Sequence, residues 1–98
     1  MVRFYRGTNI SDKGVKTIKT GYIPKNTWIT NNKKEAKSYA KINAELANAK
    51  PVLITIDIPK SVDINKRAWR LGGNPNAKYY KTFRGIRAKT SLKTIKHK

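Results

Sequence analysis

Apolar and polar residues alternate most regularly between Pro51 and Pro59, where Val52, Ile54, Ile56 and Ile58 are interleaved with Leu53, Thr55 and Asp57, the period-two pattern of a strand. A weaker version opens the chain. Val2, Phe4 and Arg6 alternate with Arg3 and Tyr5 up to Gly7, which predicts a first strand ending at a turn. Ser11 to Lys19 carries a faint helical pattern closed by Gly21 and Pro24. Thr27 to Thr30 is a short β-branched and aromatic run, and Asn32 with Glu35 three residues on makes a capping-box start to a helix. From Lys33 to Ala49 the period lengthens. Tyr39, Ile42, Leu46 and Ala49 fall on one face, flanked by Ala36, Ala40 and Ala47, while Lys34, Lys37, Lys41 and Glu45 lie elsewhere.

Beyond Pro59 the pattern predicts a polar, basic stretch holding Trp69, a turn at Gly72-Gly73-Asn74-Pro75-Asn76, and an extended run from Lys78 to Arg87. A last short strand near Leu92 to Ile95 and a frayed Lys96 to Lys98 end complete it. These elements predict one mixed α/β domain spanning residues 1–98. A chain of this length buries about two thirds of its extended surface, enough for one core and not two.

Charge narrows the function. Twenty-three Lys and Arg stand against five Asp and Glu, a formal charge of +18, and all five carboxylates precede residue 64. The last 35 residues, Ile64 to Lys98, carry eleven basic side chains and no acidic one. A surface this one-sided repels itself unless a polyanion neutralises it, and nucleic acid is the expected partner. The tail lacks the bulky apolar face that a membrane-surface helix needs, and no stretch reaches the ~18 apolar residues of a span. A domain acting in solution is the expectation. With no Cys, disulfides, thiolate zinc sites and a cysteine nucleophile are excluded together.

The series Phe4-Tyr5-Arg6-Gly7-Thr8, Gly21-Tyr22-Ile23, Trp28-Ile29-Thr30-Asn31, then Ala36 with Tyr39-Ala40, resembles the ADP-ribosyltransferase-like toxin domains of bacterial polymorphic toxins. The Val52 to Pro59 strand and Phe83-Arg84-Gly85-Ile86 are similar to that family's last two motifs. The resemblance implies an α+β fold, a small, split, mostly antiparallel sheet with one main helix clasping a nicotinamide-type ligand. It implies Arg6 as a site residue, with Thr8, Thr30, Trp28 and Tyr39 around the ligand. It also implies action in the cytoplasm of a bacterial target cell and an acidic immunity protein over the basic face. The chain departs from the family at its third motif. A Glu belongs at the start of the late strand, and Lys78-Tyr79-Tyr80-Lys81 stands there instead, so that a cation opposes the charge a carboxylate would stabilise.

Other chemistries fall to the residue inventory. Glu35, Glu45, Asp57 and Asp63 show no ligand spacing for two-metal cleavage, and zinc lacks Cys and a second His, so no metal and no cofactor is expected, NAD apart if transfer holds. His97, the one histidine, is next to last and no partner for acid-base catalysis. Metal-free RNA cleavage survives, because the 2′-hydroxyl is an internal nucleophile that needs only alignment, proton shuttling and cations around the phosphorane. Arg6, Thr30, Tyr80, Lys81 and Arg84 are the candidate catalytic set. Trp69 between Arg67 and Arg70 suits base stacking, with Lys66, Lys78 and Arg87 as further phosphate contacts. Bland readings stand beside these: Arg6 as a solvated edge charge, Trp28 and Tyr39 as core. NAD-dependent transfer with a relocated carboxylate is the alternative enzyme, and a non-catalytic nucleic-acid binder the alternative of another class. Glu35, Glu45, Asp57 or Asp63 beside Arg6 in a cleft that admits a dinucleotide decides for transfer over scission.

Overall fold

Residues Pro51–Ile58 form β4, the centre of the fold, and its near-continuous apolar run is explained by cover on both sides. Val52, Ile54, Ile56 and Ile58 are essentially inaccessible on one side, and Leu53 is buried on the other beneath the main helix. The computed structural model describes residues 2–71 and 77–95. The turn expected at Gly72 to Asn76 and the end at Lys96 to Lys98, His97 included, lie outside the described residues.

In chain order the elements are β1 (Val2–Asn9), α1 (Gly14–Lys19), β2 (Tyr22–Ile23), β3 (Trp28–Thr30), α2 (Lys33–Ala47), β4, a 3₁₀ turn (Ile64–Lys66), β5 (Ala68–Leu71), β6 (Tyr79–Thr82), β7 (Ile86–Arg87) and β8 (Lys89–Thr94). Six strands make one sheet in the order β5-β6-β3-β1-β4-β8, every neighbouring pair antiparallel, and β2 pairs with β7 in a second small sheet. The domain is therefore α+β, with one main helix on a mostly antiparallel sheet. Its core lies between the large sheet and the layer of α1, β2 and β7, where Phe4, Ile29, Ile54 and Ile56 meet Val15, Ile18, Ile23 and Ile86.

The large sheet has a seam. Eight residue pairs join β1 to β4, but only Tyr5 opposite Thr30 joins β1 to β3. Past that pair the halves part, and the Arg6 side chain crosses the gap to donate from Nη1 to the Trp28 carbonyl at 3.0 Å.

Several elements differ from the sequence expectation. β1 does not turn at Gly7 but runs on to Asn9. Gly7 is small because α2 rests directly on it: a Cβ there would sit 1.7 Å from the Ala36 carbonyl oxygen. That contact also reverses the reading of α2. Its buried side is the alanine row Ala36, Ala40 and Ala44, whereas Tyr39, Ile42 and Leu46 are 62%, 60% and 85% exposed. Only methyl-sized side chains fit between a helix and a strand in backbone contact, so the bulky residues turn outward. The helix stops at Ala47, since Asn48 takes a left-handed φ of 50° and its N–H closes back on Glu45 O. The basic stretch around Trp69 is a strand, β5, and the run from Lys78 to Arg87 divides between two sheets as β6 and β7.

Exposure makes a prediction against hydropathy. Leu46→Lys is expected to leave the unfolding free energy from urea titration unchanged to within about 0.5 kcal/mol. Ile54→Ala, at a fully buried position, is expected to cost about 2–5 kcal/mol.

Candidate active site

A cleft of about 400 Å³ opens where α2 overhangs the seam, lined by Tyr5, Arg6, Gly7, Trp28, Ile29, Thr30, Glu35, Ala36, Tyr39, Asn43 and Tyr79. That volume lies within the range of small-molecule pockets, roughly 300–1,000 Å³. The α2 wall follows from helical spacing: Glu35, Tyr39 and Asn43 recur every fourth residue, beside the alanine row that seats the helix. The strand wall follows from register, because Tyr5, Thr30 and Tyr79 stand opposite one another on β1, β3 and β6 and share one side of the sheet.

Glu35 enters this cleft by way of its cap. Asn32 Oδ1 accepts the Glu35 backbone N–H at 3.0 Å, and Thr30 Oγ1 accepts the Asn32 N–H at 3.2 Å. Its carboxylate shares the cleft lining with the Tyr79 phenol. The phenol is held above its ordinary range, first by desolvation, then by the neighbouring Glu35 carboxylate. Tyr79 thus stays a protonated donor at neutral pH.

Arg6 is braced from behind. Its Nη2 donates to Asp12 Oδ2 at 3.1 Å, the same oxygen that accepts Thr8 Oγ1 at 2.6 Å, and Asp12 Oδ1 accepts the Gly14 N–H at 2.9 Å. The Arg6 Nε is buried with no hydrogen-bond partner, a cost of about 1–3 kcal/mol of a kind that functional sites retain. Burial pulls the Asp12 carboxyl upward, but Thr8, Gly14 and Arg6 outweigh it and hold it below the usual carboxylate range. A carboxyl whose folded pKa is depressed contributes stability above its unfolded value, here 3.8, and loses it as pH falls through the folded value. Asp57, lowered by its bond from Arg3 at 2.8 Å, acts the same way on β4. Asp12→Asn is therefore expected to flatten part of the acid limb of stability below about pH 4, as read by thermal melts across pH.

The other expected site residues are placed as follows. Thr30 lines the cleft, yet its hydroxyl is committed to the Lys78 carbonyl at 2.8 Å, so it ties β3 to the approach of β6. Thr8 is buried behind Arg6. Trp28 and Tyr39 both line the cleft and are 50% and 62% exposed, which corrects the reading of both as core. Tyr80 does not reach the site: alternation sends it to the core side, 8% exposed and edge-on to Phe4 with ring centroids 5.3 Å apart, and its neighbour Tyr79 takes the cleft. Lys81 stands outside the lining, its Nζ 5.8 Å from the Trp28 ring centroid. Arg84 follows β6 at its far end, where its N–H bonds Arg67 O. Lys66 and Arg67 are exposed beside β5, and Arg67 Nη1 donates to Gly85 O at 3.0 Å. Trp69 and Arg70 point to opposite sides of β5, Lys78 is exposed before β6, and Arg87 on β7 sits over Tyr22 at 5.8 Å.

Tyr5 and Asn43 are not singled out as site residues in the sequence, and Glu35 and Tyr79 stand outside the candidate catalytic set drawn from it. The four-residue spacing of Glu35, Tyr39 and Asn43 was the available signal. Among the described residues no three His, Cys, Asp or Glu side chains gather as a metal would require, and no helix is long and apolar enough to cross a membrane. Searches against protein-family models, curated proteins and solved structures found no match.

Proposed function

We propose that this domain is an ADP-ribosyltransferase with a relocated carboxylate, moving the ADP-ribosyl group of a nicotinamide dinucleotide to nucleic acid at the Arg6–Glu35 cleft. One observation carries the reading: Glu35, beside the Tyr79 phenol, lines the same aromatic-walled cleft as Arg6. Glu35 sets negative charge against the positive charge that develops at the ribose C1′ as its bond to nicotinamide breaks and the bonding pair leaves with the ring. It then takes the proton that the acceptor's attacking O–H or N–H gives up. Tyr5, Trp28, Tyr39 and Tyr79 offer ring surface to a flat heterocycle. Arg6, with one N–H on Trp28 O and one on Asp12, has further donors for a phosphate oxygen. The likeness of the Arg6, Thr30 and Tyr39 motifs to the toxin family supports the same reading, as does the formal charge of +18 for a polyanionic acceptor. A toxin acting inside a bacterial cell, countered by an acidic immunity protein, is the setting this reading carries with it.

Metal-free RNA scission is the second reading, favoured by the Tyr79–Glu35 pair, which suits proton transfer from a 2′-hydroxyl. It is less well served. The cleft lining holds one guanidinium, partly neutralised by Asp12, while Lys81 and Arg84 stand outside it. Incubating the domain with labelled NAD and total RNA in EDTA tests both. Label on RNA that depends on Glu35 is the expected result; unlabelled RNA cut into fragments moves the reading to scission, and intact, unlabelled RNA removes both.

A further inference from the structure

On the side of the sheet that carries the cleft, Trp28 of β3 lies opposite Lys81 of β6, and Lys81 lies opposite Trp69 of β5. Opposed residues on neighbouring strands share a side, so these three form one row across three strands. Both indoles are exposed, at 50% and 56%. Lys81 Nζ stands 5.8 Å from the Trp28 ring centroid, and Trp69 leans on Phe83 at 4.9 Å and 40°. α2 is seated chiefly on β1 and β4, with a lesser contact to β3, and leaves both indoles exposed. A single exposed aromatic is ordinary on a protein surface. Two in register, with a cation between them on a chain of charge +18, make a composite surface that is both flat and positive.

We propose that the Trp28–Lys81–Trp69 row is a stacking platform for unpaired bases, so that the nucleic acid this domain takes is single-stranded. Two strand spacings separate the indoles by about 10 Å. Neighbouring bases in a duplex rise only about 3.4 Å apart, so bases seated on both rings are splayed. An unpaired strand can splay and offer a π-face to each indole; a duplex keeps those faces covered and offers phosphates alone. Lys81 adds a phosphate contact between the two stacks and a cation–π contact to Trp28. Exposed Lys66 and Arg67 extend the positive track past the end of β5. Trp28 belongs both to the row and to the cleft lining, so a base on Trp28 is the one presented to Glu35. Only that last step, the strand as acceptor, rests on the transferase reading; the binding does not.

The test uses the whole domain without NAD. A labelled oligouridylate and a duplex of the same length are titrated by anisotropy, with intrinsic tryptophan fluorescence followed in parallel. The single strand is expected to bind more tightly and to quench the fluorescence. Trp28→Ala and Trp69→Ala are each expected to weaken it by roughly 5–150-fold while leaving duplex binding unchanged. Equal affinity for duplex and single strand, unquenched wild-type fluorescence at saturation, or folded tryptophan variants that bind like wild type would each overturn the platform, whatever the labelled-NAD assay gives.

Discussion

Gly7→Ala is expected to lower stability by at least about 3 kcal/mol, the upper end of overpacking costs. The added Cβ would lie 1.7 Å from the Ala36 carbonyl oxygen, 2.7 Å from its carbonyl carbon and 2.9 Å from the Ala40 nitrogen, all backbone atoms. No rotamer change relieves such a clash. Either α2 lifts off β1 by more than an ångström, which opens the alanine row and the Asn9–Asn43 hydrogen bond that ties strand to helix, or β1 pulls away from β4. A domain of ordinary stability, about 5–15 kcal/mol, loses much of its margin. Gly14→Ala is the control, because its Cβ meets nothing nearer than Asp12 Oδ1 at 3.4 Å, and its effect is expected to stay within about 1 kcal/mol. Urea titration of both decides. A Gly7→Ala domain as stable as the control would mean that α2 does not rest on β1 as described.

The same contact explains which parts of the fold were legible in the sequence. β4 was read correctly because its pattern is dictated by burial alone, and period two between two prolines has one interpretation. The existence and start of α2 were equally plain, since Asn32 caps Glu35 as the spacing predicts. Its buried face was not. Periodicity ranks Ile42 and Leu46 above alanine, but backbone proximity at Gly7 selects the smallest side chains, and that proximity is a tertiary fact with only one glycine to announce it. β5 hid for a related reason: an edge strand with Trp69 and Arg70 exposed on opposite sides has no apolar alternation to read. At the site, Arg6, Thr30, Trp28 and Tyr39 were found through the motif series, and the structure brings all four to one cleft. The carboxylate was sought on β6, where the family likeness places it. Glu35 comes instead from the helix cap across the seam, and its meeting with Tyr79 in one cleft depends on how α2 seats on the sheet, which no local pattern encodes.

That meeting supports the largest functional expectation. Glu35→Gln is expected to reduce label transfer from NAD by about 100-fold or more, the scale on which removing one preorganised electrostatic partner of a developing charge acts. The substitution keeps the side chain's size and leaves untouched the backbone N–H that Asn32 accepts, so the cap survives. The helix N-terminus loses a favourable negative charge worth about 0.3–1 kcal/mol, too little to unfold the domain. A Gln amide fills the same space, but it cannot take a proton or oppose positive charge at C1′. Tyr79→Phe separates positioning from charge: it removes the hydroxyl that shares the cleft with the carboxylate and is expected to cost no more than about tenfold, the equivalent of ~1.4 kcal/mol at the upper end of a single hydrogen bond. Because the Tyr79 phenol is held above its ordinary range, its donor role persists through neutral and mildly alkaline pH, so the wild-type rate is expected to show no alkaline decline from this group below about pH 10. Single-turnover transfer rates for the three proteins, alongside their melting temperatures, give the comparison. A Glu35→Gln domain that folds and transfers at the wild-type rate would leave the cleft without its catalyst and the transferase reading without its basis.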